Sequence, residues 1–262
     1  ALLKEYKLGE SAKLLYEFTW NDFCDWYVEF AKQRFNNKET KNRQISEKVL
    51  IKVLNDILVM IHPFMPHITE ELWHVLQLKP DKELLSLQKW PTQENKFVDN
   101  KLDNSFQQLF EIIRLIRNLR AELGLKPSEK VPVYLISDND ELIDFLKILV
   151  DDIQTLTKSS EVFIFKPNAV DKKEFAKSFS GIISDLEVYL PFQDFVNIDA
   201  LKERLTKDLK KVTIELDNLN KRLSNKNFVD KAPKDIVDEC RFKLNEGSVQ
   251  MERITKKLEL LN

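Results

Sequence analysis

Ile198, Leu201, Leu205, Leu209, Val212, Leu216, Leu219 and Leu223 are spaced three, four, four, three, four, three and four residues apart. A repeat of about 3.5 residues draws one apolar seam along a helix, with charged residues on its outer positions, and a second helix must cover that seam. The seam breaks at Ser224-Asn225-Lys226-Asn227-Phe228 and resumes after Pro233, which suits the first turn of a new helix. Ile236, Cys240, Met251, Ile254, Leu258 and Leu261 keep a compatible register, weakened around Gly247. Two such helices joined by a short turn form an antiparallel hairpin. At ~1.5 Å per residue the first helix reaches roughly 40 Å. At the far end of this arm, between Asn218 and Lys234, Lys221, Arg222, Lys226, Lys231 and Lys234 are opposed by Asp230 alone, a net of +4.

That window stands out against a nearly neutral chain of net charge −2. From Asp199 to Asn262 there are 15 Lys/Arg against 12 Asp/Glu, a net of +3, which leaves −5 for residues 1–198. A long lever with a positive tip suits a polyanion reached at a distance, whereas a coiled-coil contact with another protein accounts for the periodicity alone. Other classes are disfavoured. No run of 18 apolar residues exists to span a membrane, and Ala1-Leu2-Leu3-Lys4-Glu5-Tyr6 is too short and too charged for a secretory signal. With no initiator methionine, the chain reads as a piece of something longer. Cys24 and Cys240 stand far apart, which speaks against a disulfide framework or a zinc site and fits a reducing cytoplasm. Four glycines in 262 residues leave no phosphate-cradling loop.

Residues 1–127 read as a helical bundle. A helix over Ile45–Met60 ends at Pro63 and Pro66, which lack the amide proton a helix interior needs, and a second helix starts near Pro66 with Ile68, Leu72 and Leu76 on one face. Phe64, Met65 and Trp73 would wedge this corner between neighbouring helices. Tyr16, Trp20, Phe23, Tyr27 and Phe30 form an aromatic stripe suited to core packing, or to stacking on unpaired bases at one end. Arg34, Lys38, Lys41 and Arg43 follow, as a solvated loop or as phosphate contacts. His62, His67 and His74 lack the partners and spacing of a metal site. In a helix from about Phe97 to Leu123, Phe106, Leu109, Ile113 and Ile116 make a seam beside Arg114, Arg117 and Arg120; these three are surface charge or a clamp on a nucleic-acid backbone. Gly124 is a plausible C-cap, reinforced by Pro127.

Residues 128–195 change character. Val131–Ile136 is strand-like, with Pro132 confining it to an edge or a strand start. Asp138-Asn139-Asp140 opens a helix, and Val162–Phe165 and Leu186–Leu190 read as short strands. The expected fold is mainly α: a helical bundle (1–127), a small α/β connecting module (128–195) with no sign of a site, and an antiparallel coiled-coil arm (196–262).

Leu15-Tyr16-Glu17-Phe18-Thr19-Trp20-Asn21-Asp22-Phe23-Cys24-Asp25-Trp26-Tyr27 and Pro63-Phe64-Met65-Pro66-His67-Ile68-Thr69-Glu70-Glu71-Leu72-Trp73 resemble the anticodon-binding bundle of class I valyl-tRNA synthetases. Ile116–Glu122 fits the same family, as does Leu223–Pro233 at the turn of that family's C-terminal hairpin. The bundle motifs are shared with isoleucyl and leucyl relatives; the Asn-x-x-Phe-Val-x-Lys-Ala-Pro turn points to the valyl branch. The resemblance implies that the bundle receives the anticodon arm of tRNA, through Arg34, Lys38, Arg43, Arg114, Arg117 and Arg120. It implies that the coiled-coil arm packs on the outer corner of the tRNA, through Lys221, Arg222, Lys226, Lys231, Arg241 and Lys243. Valine activation, with ATP and Mg, would belong to a catalytic domain of the longer protein, whose His-x-Gly-His and Lys-Met-Ser-Lys-Ser motifs this chain lacks. The expected piece therefore carries no catalytic residue, metal or cofactor of its own, has tRNA and its own catalytic domain as partners, touches no membrane and acts as a cytoplasmic monomer.

Overall fold

A computed structural model describes residues 2–36, 40–77, 83–92, 97–192 and 195–261, with side chains for all of these except Asn36, Thr40, Lys172, Lys226, Asp230 and Lys231. The chain forms two compact units, Ala1–Asp99 and Asn100–Asn262.

In the first unit, helix α1 (Leu8–Glu17) runs into a π-helical stretch, Phe18–Val28, and on into α2 (Glu29–Asn36). π-Helical winding bonds each amide one residue further back than an α-helix does, so the chain advances through fewer degrees per residue. Over eleven residues the face drifts, and the aromatic stripe divides. Phe23 and Phe30 are buried, and so is Trp26, which lay outside the stripe. Tyr16 and Trp20 are exposed and stack on each other, centroids 6.5 Å apart. Tyr27 is half-buried, its hydroxyl donating to the Ser46 carbonyl at 3.2 Å.

Helix α3 (Thr40–Ile61) ends at the proline corner, and Pro66 opens α4 (Pro66–Gln77), where its missing N–H costs nothing. The corner is latched by side chains. Thr69 is buried and its hydroxyl donates to the Met65 carbonyl at 2.8 Å, which leaves His62 Nδ1, also 2.8 Å away, to donate to Thr69 Oγ1. Glu70 accepts from the Leu85 amide at 2.8 Å and pins a short 3-10 turn, Leu85–Leu87, so that Leu58, Trp73 and Leu85 form one apolar cluster. The inward side of α4 is thus Thr69 and Trp73. Ile68, Leu72 and Leu76, expected to be its packing face, are exposed, as is Met65.

The second unit begins with α5 (Asn100–Leu123), which buries Leu109, Ile112, Ile113, Ile116, Leu119 and Leu123. It packs on a four-stranded sheet of order β2-β1-β4-β3: β1 (Val133–Ser137), β2 (Val162–Phe165), β3 (Ser178–Ile183) and β4 (Leu186–Pro191). The sequence assigned α5 to the bundle, so its boundary at 127 does not coincide with the break between compact units. Strand β1 is central, parallel to β2 and antiparallel to β4. Of the two positions open to Pro132, the strand start is the one adopted. Gly181 on β3 lies under α5, where a Cβ would come within 2.6 Å of Leu115 Cδ1.

Asn139 caps α6 (Asp140–Ile148) by accepting from the Leu142 amide at 3.1 Å; a break at Leu149 separates it from α7 (Val150–Thr157). Helix α5 stops in a Schellman motif: Gly124, at φ 72°, donates to Ala121 O, and Leu125 to Arg120 O.

The arm follows as α8 (Ile198–Ser224), the short α9 (Lys226–Lys231) and α10 (Lys234–Leu260). Asn197 caps α8, its side chain accepting from the Ala200 amide at 3.0 Å. Leu201, Leu205, Val212 and Leu216 are buried against α10, and Ile198, Leu209, Leu219 and Leu223 are half-buried, so all eight seam positions face inward. On α10 the buried positions are Val237, Cys240 and Ile254, followed by Leu261 just beyond it; Ile236 and Met251 are exposed instead. Gly247 does not weaken the seam. It receives Leu216, whose Cδ2 would lie 2.8 Å from a Cβ at that position.

Candidate nucleic-acid interface

The cations expected to face an anticodon arm separate by environment. In the first unit, Arg34 on α2 is half-buried near Tyr27; burial raises the Tyr27 pKa and the Arg34 charge partly opposes that. Arg43 on α3 is exposed and its Nε donates to Glu47 Oε1 at 2.8 Å, a surface pair that a phosphate can replace at little cost. Lys38 lies outside the described residues.

In the second unit, Arg114, Arg117 and Arg120 climb α5 at intervals of three. Each step turns about 60° backwards around the helix, so the row does not stay on one face. Arg114 is exposed, and Arg117 is exposed with its Nε donating to the Leu156 carbonyl at 3.0 Å. Arg120 is 6% exposed. Its Nη2 donates to the carbonyls of Glu129 at 2.8 Å and Lys126 at 3.4 Å, and burial lowers its pKa. It closes the loop after α5 and does not present its charge to a ligand, which removes it from the expected anticodon face.

At the arm's tip, Lys221 and Arg222 are exposed in the last turn of α8, where cations suit the helix dipole. Asn225 ends α8 and caps α9, accepting from the Asn227 amide at 3.0 Å. Phe228 and Val229 are half-buried, and the Arg222 guanidinium carbon lies 5.3 Å from the Phe228 ring centroid. That cation–π contact covers the ring and holds the guanidinium outward. The backbones of Lys226 and Lys231 lie in α9; their side chains are outside the described residues. On α10, Arg241 pairs with Asp238 at 3.3 Å and Lys243 with Glu239 at 2.6 Å, a hydrogen bond that raises the Lys243 pKa. Arg222 and Lys243 come together across the two helices, in the wall of a cleft of about 410 Å³ that also holds Leu219, Glu246 and Gln250. Arg241 is not in that wall.

Sequence reasoning missed the cations at the arm's root. Arg204, Lys211, Arg253 and Lys257 line a larger cavity of about 1050 Å³ with Glu122, Asp208 and Glu215. Lys202–Lys211 holds five Lys/Arg against Glu203 and Asp208, a net of +3 that the larger excess at the tip overshadowed. Among the described residues, no helix is long and apolar enough to cross a membrane, and no group of His, Cys, Asp and Glu is placed to hold a metal.

The model of the anticodon-binding domain of tRNA ligases matches residues 1–135. The chain belongs to this family. Within it, residues 197–262 match the model of the valyl tRNA synthetase tRNA binding arm, which begins at the Asn197 cap of α8. The chain is 74% identical over 260 residues to a valine–tRNA ligase of Prochlorococcus marinus subsp. pastoris, covering 99% of this chain and 28% of that relative. It is 38% identical over 264 residues to the valine–tRNA ligase of Synechocystis sp. and 35% over 262 to that of Petrotoga mobilis, each match covering 99% of this chain. The chain spans 28–29% of the length of these relatives.

Proposed function

We propose that the chain is the tRNA-recognition part of a valine–tRNA ligase. The anticodon-binding domain, residues 1–135, takes the anticodon arm, with Arg34, Lys38, Arg43, Arg114 and Arg117 as its contacts. The coiled-coil arm takes the outer corner of a valine tRNA through Lys221, Arg222, Lys226, Lys231, Arg241 and Lys243. Aminoacylation, with its ATP and Mg, belongs to a catalytic domain of the longer cytoplasmic enzyme, which acts as a monomer.

The observation that carries this reading is the tip of the arm. Helix α10 covers the α8 seam, and at the turn Lys221 and Arg222 are exposed while Phe228 lies under a guanidinium; on α10 beside the turn, Ile236 and Phe242 are exposed. A protein-binding hairpin would need exposed apolar groups at the turn, such as Phe228 and Val229, and these two are half-buried. Each phosphate contact releases condensed counterions, so binding by such a tip falls steeply with salt.

The test is binding of the chain to valine tRNA and to an unrelated tRNA across a salt series. Stronger binding to valine tRNA, weakening as salt rises, is expected. Replacing Lys221, Arg222, Lys226 and Lys231 by Glu should weaken binding at least tenfold at low salt and flatten the salt slope by up to about three. Unchanged affinity in that variant would refute the corner assignment.

A further inference from the structure

Two cations far from the tip hold the root of the arm to a single residue. Arg204, in the second turn of α8, donates through Nη2 to the carbonyl of Glu122, in the last turn of α5. Lys257, in the last turn of α10, pairs with the Glu122 carboxylate, Nζ to Oε2, at 2.6 Å. Its ammonium also lies 5.4 Å from the centroid of Phe179 on β3. The Lys257 side chain is 21% exposed, against 58–75% for Lys207, Lys211, Lys243 and Lys256, whose pairs lie within one helix. The Lys257 end of the pair is thus shielded from solvent, while the Glu122 carboxylate is 41% exposed and stays partly screened.

The end of α5 is built to receive these groups. Its last carbonyls carry the negative end of the helix dipole, which favours a cation there. Gly124 keeps the approach open, since a Cβ there would stand 2.5 Å from Arg204 Nη1. Arg204 by itself would tie only α8, and not α10, to the end of α5. With α8 bound to the backbone of Glu122 and α10 to its side chain, both rails of the hairpin are fixed to one point.

We infer that Glu122, Arg204 and Lys257 form a clamp that sets the direction of the arm, and that they act as positioning residues for capture of tRNA by the tip. The second half of this inference rests on the tRNA-corner reading given above. The lever is long: with an arm of roughly 40 Å, a 10° swing at the root carries the tip about 7 Å. That is more than twice a hydrogen-bond length, so play at the root removes contacts at the tip. The clamp also fastens the arm to α5, the helix that exposes Arg114 and Arg117.

The experiment uses the whole 262-residue chain with Arg204→Met and Lys257→Met combined. Spin labels at Glu111→Cys and Ser224→Cys, in a Cys24→Ser, Cys240→Ala background, report the distance distribution between α5 and the tip. Affinity for valine tRNA is measured on unlabelled chains. The clamp predicts a broadened distribution and about tenfold weaker tRNA binding, the scale of one lost charge-assisted hydrogen bond. Restoring Lys257 and placing Lys at position 204 (Arg204→Lys) should recover most of both. An unchanged distribution in a helical double variant overturns the clamp. A broadened distribution with unchanged tRNA affinity upholds the clamp and overturns its role in tRNA capture, and the four-Glu tip variant then decides whether the corner reading falls as well. If the double variant loses helicity, Glu122→Gln removes only the carboxylate charge and takes its place with the same readouts.

Discussion

Helices α8 and α4 each carry a row of apolar residues at helical spacing. Leu201, Leu205, Val212 and Leu216 of α8 are 3–6% exposed, because α10 lies along them. Ile68, Leu72, Val75 and Leu76 of α4 are 42–62% exposed. Periodicity states that a helix has an apolar face; it does not supply the surface that covers it. In the arm the cover is encoded nearby, as a second seam after a short turn. At α4 the latch of His62 on Thr69 and of Glu70 on Leu85 turns another side inward, and Trp73, expected to wedge the corner, takes the core position there.

The largest expected effect tests that contrast directly. Leu216→Ala should cost about 3 kcal/mol in urea unfolding, from lost transfer energy and the cavity left beside Gly247. Leu72→Ala should stay within about 0.5 kcal/mol. Equal costs would show that the α4 stripe is covered after all. The same comparison can be made with charges on one helix. Arg120→Ala should cost about 2 kcal/mol, because its guanidinium serves two backbone carbonyls, while Arg114→Ala should be close to neutral for stability. Gly124→Ala should cost about 1–2 kcal/mol, since it places a side chain at positive φ and crowds Arg204.

The smallest effect concerns a residue between the two extremes. Tyr189 on β4 is half-buried; burial and then its 2.6 Å hydrogen bond to Glu187 push its pKa up to about 12. The folded state therefore holds this proton beyond the pH at which an unfolded tyrosine, near 10, loses it. The stability it confers is complete below about pH 10 and is lost as pH rises through about 12. Ultraviolet titration of the phenol should show Glu187→Gln moving the pKa downward; an unmoved value would take the carboxylate out of the account.

What the sequence made legible is what short-range pattern encodes. All eight positions of the α8 seam face inward, the Pro66 start of α4 and the Gly124 cap fall where expected, β2 matches its expected stretch, and β1 and β4 each run one residue past theirs. Strand β3 escaped because Ser178, Ser180 and Gly181 dilute its apolar alternation, and Gly181 is there to admit Leu115. Trp26 was missed because nothing local announces a π-helical stretch. Lys221 and Arg222, singled out by charge density, are exposed at the tip. Arg120 was misread because each step of three turns the row by about 60°, which carries it from the exposed flank of Arg114 into the core. Arg204 was invisible, since its partner lies 82 residues away and only the fold brings them together.

The seat of Leu216 at Gly247 has a consequence for what the arm can measure. Sliding α10 along α8 by one turn would bring Leu244 or Met251 under Leu216, and neither leaves the space that a glycine leaves. The hairpin therefore has one register and one length, fixed by a missing side chain near mid-seam. A hairpin of interchangeable leucines could settle at several lengths. This one works as a gauge with a single graduation.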